Sequence, residues 1–103
     1  MMNVPKCFYR GPGNDTGAAL ATVPVGKTWI ITGVVIVNID DATNLLNVMM
    51  ADEYVFSNAN MSSGMTITLS ETPIVLEAGD VIQVWRGVGQ LLSVHISGVE
   101  VTP

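Results

Sequence analysis

Apolar and polar residues alternate with a period of two along much of the chain. Met65, Ile67 and Leu69 alternate with Thr66, Thr68 and Ser70, and Leu92, Val94 and Ile96 alternate with Ser93, His95 and Ser97. Successive strand residues point to opposite faces of a sheet, so each run predicts a half-buried strand. The second run changes phase at Gly98, after which Val99 and Val101 flank Glu100. A glycine at a phase change predicts a β-bulge at that position. Residues 28–39 are apolar on both faces for much of their length, which predicts a central strand covered on both sides. No window of about eleven residues carries a helical stripe.

The remaining elements follow from turn chemistry. Asp40 and Asp41 end the long strand, and residues 45–51 form the next one. Asp52 and Glu53 begin a turn before a short strand at residues 54–56, and residues 58–64 read as a polar loop. Residues 73–76 and 80–86 are strands around the turn Glu77-Ala78-Gly79-Asp80, while residues 6–10 and 18–23 flank the glycine-rich loop at 11–17. About eight short strands at turn-bounded spacing predict an all-β chain. The expected fold is a single antiparallel β-sandwich or jelly roll spanning residues 1–103.

Composition sharpens this picture. At 103 residues the chain buries about two-thirds of its extended surface on folding, enough for a core without disulfides or a structural metal. Hydrophobic residues make up 49% but charged residues only 13%, about half the usual share. So little charge leaves either Ser, Thr and Asn to solvate the surface or a partner to cover part of it, and six Met favour the partner. Net charge is −5, and Lys6, Arg10, Lys27 and Arg86 are scattered, which argues against nucleic acid and anionic membranes. Cys7 stands alone, so no internal disulfide forms. The first residues lack an apolar signal region, and the longest apolar run, residues 29–37, is too short to span a bilayer; synthesis in a cytosol is expected.

Candidate chemistry is sparse. Gly26-Lys27-Thr28 resembles the tail of a phosphate-binding loop, but Ala21 stands where that loop needs glycine and a strand follows instead of a helix. The loop at 11–17 has Thr16 in place of the third glycine of a dinucleotide fingerprint. Residues 38–44 offer oxygen ligands without the register of a calcium loop and read as an Asn/Asp-capped hairpin turn. His95 is the only histidine and reads as a surface or intersubunit residue rather than a metal ligand or catalytic base. Cys7, beside Phe8 and Tyr9, reads as a packed small hydrophobe. The carboxylate pairs Asp40-Asp41 and Asp52-Glu53 sit in turns and solvate them. No catalytic, metal or cofactor residues are assigned, and no cofactor is expected. Trp85 is in phase with Val81 and Gln83, so it is either an exposed interface residue or a half-buried aromatic at a sheet edge.

Tyr9-Arg10-Gly11 near the start, Leu20, and the turn Val23-Pro24-Val25-Gly26-Lys27-Thr28 carry a likeness to known proteins. So do the apolar strand ending at Asn38, the turn Leu76-Glu77-Ala78-Gly79-Asp80, and the close Val94-His95-Ile96-Ser97-Gly98-Val99-Glu100-Val101. With these the chain resembles the small β-sandwich virion proteins of tailed bacteriophages, the capsid decoration (cement) and head–tail accessory group. The resemblance implies a non-enzymatic virion structural protein, made in the bacterial cytoplasm. It further implies a homotrimer that binds the major capsid protein or another virion protein and stabilises the shell. About five residues precede the first expected strand, too few for a capsid-binding arm, so a tail or fibre-base accessory role stays open. Two further readings of the same fold are a carbohydrate- or receptor-binding module, with Trp85 and Tyr54 as platforms, and a cupin-type enzyme. The expected interface residues are Trp85 and Arg86 near a sheet edge, Met61 in the polar loop, and Val99 and Val101 beyond the phase change.

Overall fold

A computed structural model describes residues 2–14, 16–40, 42–70, 73–86 and 92–103. Asp15 and Asp41, expected in the glycine-rich loop and in the turn after the long strand, lie outside the described residues. The described residues form β1 (Met2–Pro12), β2 (Ala21–Thr22), β3 (Thr28–Asn38), β4 (Asn44–Met50), β5 (Glu53–Met61), β6 (Thr66–Leu69), β7 (Ile74–Leu76), β8 (Val81–Arg86) and β9 (Leu92–Thr102), with no helix among them. The larger sheet runs β1-β9-β3-β6, with β7 also on β3, and the smaller runs β2-β8-β4-β5; every strand pair is antiparallel. β6 and β7 pair with successive stretches of β3 and act as one interrupted strand, with Pro73 in the gap between them. The fold is thus the expected antiparallel sandwich, with the strand order of a jelly roll.

The core lies between the two inner faces. On the larger sheet it is built from Trp29, Ile31, Val34, Ile36, Leu92, Val94 and Ile96, and on the smaller from Leu46, Val48, Met50, Met61, Ile82 and Val84. In β3 the inward positions change from odd to even numbers because Thr32 is an extra residue between Ile31 and Gly33. A matching extra residue, Phe8, interrupts β1 between Cys7 and Tyr9. β9 itself keeps one phase, with Leu92, Val94, Ile96 and Gly98 all buried on the same face. The bulge expected at Gly98 therefore lies in both neighbouring strands instead. Gly98 lets them approach closely, and the apolar Val99 and Val101 simply belong to the outer face.

Two further expectations are corrected. β5 is nine residues long, not a three-residue strand followed by a polar loop. It carries two extra residues relative to β4, one between Phe56 and Ala59 and one at Val55, and each breaks the period-two pattern. Beyond the second break Ala59 and Met61 turn inward, and Met61 is wholly buried opposite Asn44. The strand end is held by the buried Asn38, whose amide donates to the carbonyls of Met61 and Ala42, each at 2.9 Å. Asn38 thus ties the two sheets together and is not available as a surface oxygen ligand. The expected strand at residues 18–23 shrinks to the two residues of β2.

The glycine-rich loop also has a structural task. After β1 the chain crosses between the sheets: the Gly13 amide still donates to Leu92 O of β9 in the larger sheet at 3.1 Å, and the Asn14 amide donates to Val84 O of β8 in the smaller sheet at 2.9 Å. The Arg86 amide returns a bond to Asn14 O, which makes a parallel bridge between Asn14 and Trp85. This segment continues alongside β8 where β2 ends. Trp85 and Arg86 are consequently flanked on both sides and do not lie at an open sheet edge.

Candidate interaction surfaces

The outer face of the larger sheet has no second layer over it among the described residues. Strand register sets Pro5, Val99, Ile30 and Val75 in one row across β1, β9, β3 and β7. Val101 lies one row away, beside Asn3 and Thr28, and Val35 lies further along β3 beside His95 and Thr68. Val75 is 55% exposed and Val35 39% exposed. The both-sided apolar pattern of residues 28–39 thus finds cover on its inner face only. Sequence reasoning placed Val99 and Val101 at an interface; the fold keeps both half-buried on this face and adds Ile30, Val35 and Val75 to them. Polar side chains border the patch: His95 and Cys7 are exposed and share the outer face with it.

The outer face of the smaller sheet is different in kind. Trp85 on β8 and Tyr54 on β5 meet across β4, with ring centroids 6.2 Å apart and planes tilted by 49°. Tyr54 is 56% exposed and Trp85 half-buried. Gly17 lies against the Trp85 ring, and its carbonyl accepts a hydrogen bond from Gln83 Nε2. Asn47 stands opposite Trp85 in the register, and its Oδ1 accepts the Asn58 amide at 2.9 Å, which fastens the second bulge of β5. Sequence spacing could not show this pairing, because Tyr54 and Trp85 come together only through two strand registers.

At the rim of the inner face a polar cluster closes the sandwich. Glu100 faces Trp29 across the β3–β9 pair and accepts its indole Nε1–H at 2.9 Å and the Lys6 ammonium at 3.1 Å. Phe8, the extra residue of β1, stacks on Trp29 with centroids 4.3 Å apart. The hydrogen bonds from Trp29 and then Lys6 hold the Glu100 carboxyl below its ordinary value, against a smaller opposing effect of desolvation. A carboxylate with a depressed pKa stabilises the fold above its ordinary value and loses that contribution as pH falls through the lowered one. Thermal melts of Glu100→Gln should therefore lie below those of the native chain at neutral pH. The two should converge on acidification, because Gln keeps an oxygen for the Trp29 indole but no charge.

The other candidates separate from these surfaces. Met61 is part of the core, so it cannot contact a partner as expected; its apolar side chain in a polar stretch is explained by the inward turn of β5. Arg86 is half-buried at the end of β8, paired in register with Leu46. Among the described residues no three of His, Cys, Asp and Glu gather as a metal site would require. The chain matches no protein-family model, no curated protein and no solved structure.

Proposed function

We propose that this protein is a non-enzymatic structural module of a tailed-bacteriophage particle, most simply a capsid decoration protein that works as a homo-oligomer, a trimer by resemblance. The observation that carries the reading is the apolar row Pro5–Val99–Ile30–Val75 on an outer sheet face that no second layer covers among the described residues. The low share of charged residues, 13%, supports the same conclusion, because apolar faces rimmed by polar groups mark protein–protein contacts. We assign this face to contact between copies of the chain. The assembled oligomer then binds the shell. A decoration protein of this kind acts by mass action, stabilising the lattice it binds over the lattice it does not. Jelly rolls host viral coat proteins, lectins and enzymes alike, so the fold adds only an analogy.

The test is an assembly measurement. The native chain should elute as an oligomer by size exclusion with light scattering and should co-sediment with undecorated phage capsids. Val75→Lys puts a charge at the β7 end of the apolar row at an already exposed position, so the monomer fold should be retained. The variant should run as a monomer and fail to co-sediment. A native chain that is monomeric and does not bind capsids, tails or fibre bases would overturn the reading.

A further inference from the structure

We propose that the outer face of the smaller sheet is a binding platform for a neutral carbohydrate, with the rings of Tyr54 and Trp85 stacking against the C–H face of a sugar and the amide of Asn60 at its margin. This site is separate from the assembly face, since the two lie on opposite outer surfaces of the sandwich.

Three observations converge on it. The first is the ring pair itself: a half-exposed Tyr and a half-buried Trp, tilted by 49° at 6.2 Å, form a wedge and not a flat sheet of apolar surface. Aromatic faces recognise ligands that are apolar on one side and polar on the other, and small-ligand sites combine such rings with a few polar groups.

The second is the backbone that presents Tyr54. Ala51, Asp52 and Asn58 are the non-glycine residues with positive φ among the described residues, at 54°, 63° and 47°, and all three belong to the β4–β5 hairpin on either side of Tyr54. Left-handed conformation costs a residue with a side chain about 1–2 kcal/mol, and such strain collects where a side chain must be held in a set direction. Here Ala51 and Asp52 form the two-residue connection that fixes the start of β5, and the bulge at Asn58 is locked by Asn47 directly opposite Trp85.

The third is charge. The strand residues that share this face in the register are Thr22 on β2, Val81, Gln83 and Trp85 on β8, Leu45, Asn47 and Met49 on β4, and Tyr54 and Asn60 on β5, and none is charged. A phosphate, a sulfated sugar or a nucleic acid would find no counter-charge here. A protein partner is also a poor fit. Two aromatic rings offer a few hundred Å² at most, against about 800 Å² per partner in a stable protein interface. One or two sugar rings match that area, and amides are suited to their hydroxyls.

The site is tested with an array of neutral gluco-, manno- and galacto-oligosaccharides printed beside sialylated and sulfated ones, followed by titration of the strongest binder into the full chain. Trp29 is enclosed by Phe8 and the core, so a change in tryptophan emission on titration reports Trp85. Binding to neutral oligosaccharides should appear. It should weaken at least tenfold in Tyr54→Ala, whose melting temperature should be unchanged, and in Trp85→Phe, while Val75→Lys binds as the native chain does. The proposal is overturned by an array on which no neutral sugar binds, by binding confined to acidic sugars, or by sugar binding indifferent to Tyr54→Ala. It is equally overturned if Tyr54→Ala dissociates the oligomer, because the ring pair would then be a contact between copies. Loss of assembly in Val75→Lys with sugar binding intact separates this site from the proposed structural role.

Discussion

Gly98→Ala is expected to lower the melting temperature by on the order of 15 °C, although it adds a single methyl group to a strand residue. Gly98 lies on the inner face of β9, opposite Ile31 in β3 and Lys6 in β1. A Cβ there would sit 1.9 Å from the Ile30 carbonyl oxygen and 3.0 Å from Phe8 Cε2. The first contact is with backbone, so no rotamer change relieves it; β3 and β9 must part where Ile30 pairs with Val99 and Ile31 with Gly98. Those pairs also hold Trp29 in place for Phe8 and Glu100. Overpacking of this kind costs about 3 kcal/mol, and a domain of this size loses about 4–8 °C of melting temperature per kcal/mol. Gly79→Ala is the informative comparison. Gly79 has φ of 89° with nothing within 4 Å of its missing Cβ, so alanine there meets only the conformational penalty of about 1–2 kcal/mol. If Gly98→Ala melts no lower than Gly79→Ala, the close approach of β3 to β9 is wrong.

The same glycine shows what the amino-acid sequence conveys and what it withholds. An irregularity at this level of the sheet was legible, since Ile96 and Val99 cannot both face the core on one period-two pattern, although β9 itself keeps one phase. Which strand absorbs the extra residue was not, because a bulge is a property of a pair, and the partners of β9 are β1 and β3 from distant parts of the chain. β5 makes the converse case. Two bulges within nine residues scramble its alternation so thoroughly that Tyr54 and Met61 look unrelated, yet each side chain has a definite face once β4 supplies the register. The strands β3, β4, β8 and β9 were legible nearly to their ends, as were the turns at Gly26 and Gly79, both of which have positive φ.

The candidate surfaces divide along the same line. Val99 and Val101 were visible as apolar residues out of phase with the core. The row that Val99 completes required knowing that Ile30 and Val75 stand in it. Trp85 was visible as an aromatic on the polar phase of its strand, whereas its contact with Tyr54 depends on β4 lying between them. The both-sided apolar character of residues 28–39 carried the most information. It predicts cover on two faces, and the fold supplies it on one. That shortfall is what the proposed oligomer would make good.

Met61→Ala should separate core from interface at the position where sequence and structure disagree most. The Met61 side chain is fully buried, and its backbone carbonyl accepts the Asn38 amide that joins the sheets. Truncation removes the Cγ, Sδ and Cε atoms and leaves a cavity that the fastened strand end cannot collapse to fill. Met→Ala changes in such sites cost about 2–5 kcal/mol, so a melting temperature lower by about 10–20 °C is expected. If Met61 instead touched a partner, the loss would appear in the association constant, and unfolding measured at low protein concentration would be unaffected. Denaturant unfolding at two protein concentrations decides between them: the difference between native and variant should be the same at both. Met65→Ala, at a residue 41% exposed and only four positions away, should shift stability by less than about 0.5 kcal/mol. Equal effects at the two methionines would mean that β5 does not turn inward after its second bulge, and the platform assigned to Tyr54 would lose the register on which it stands.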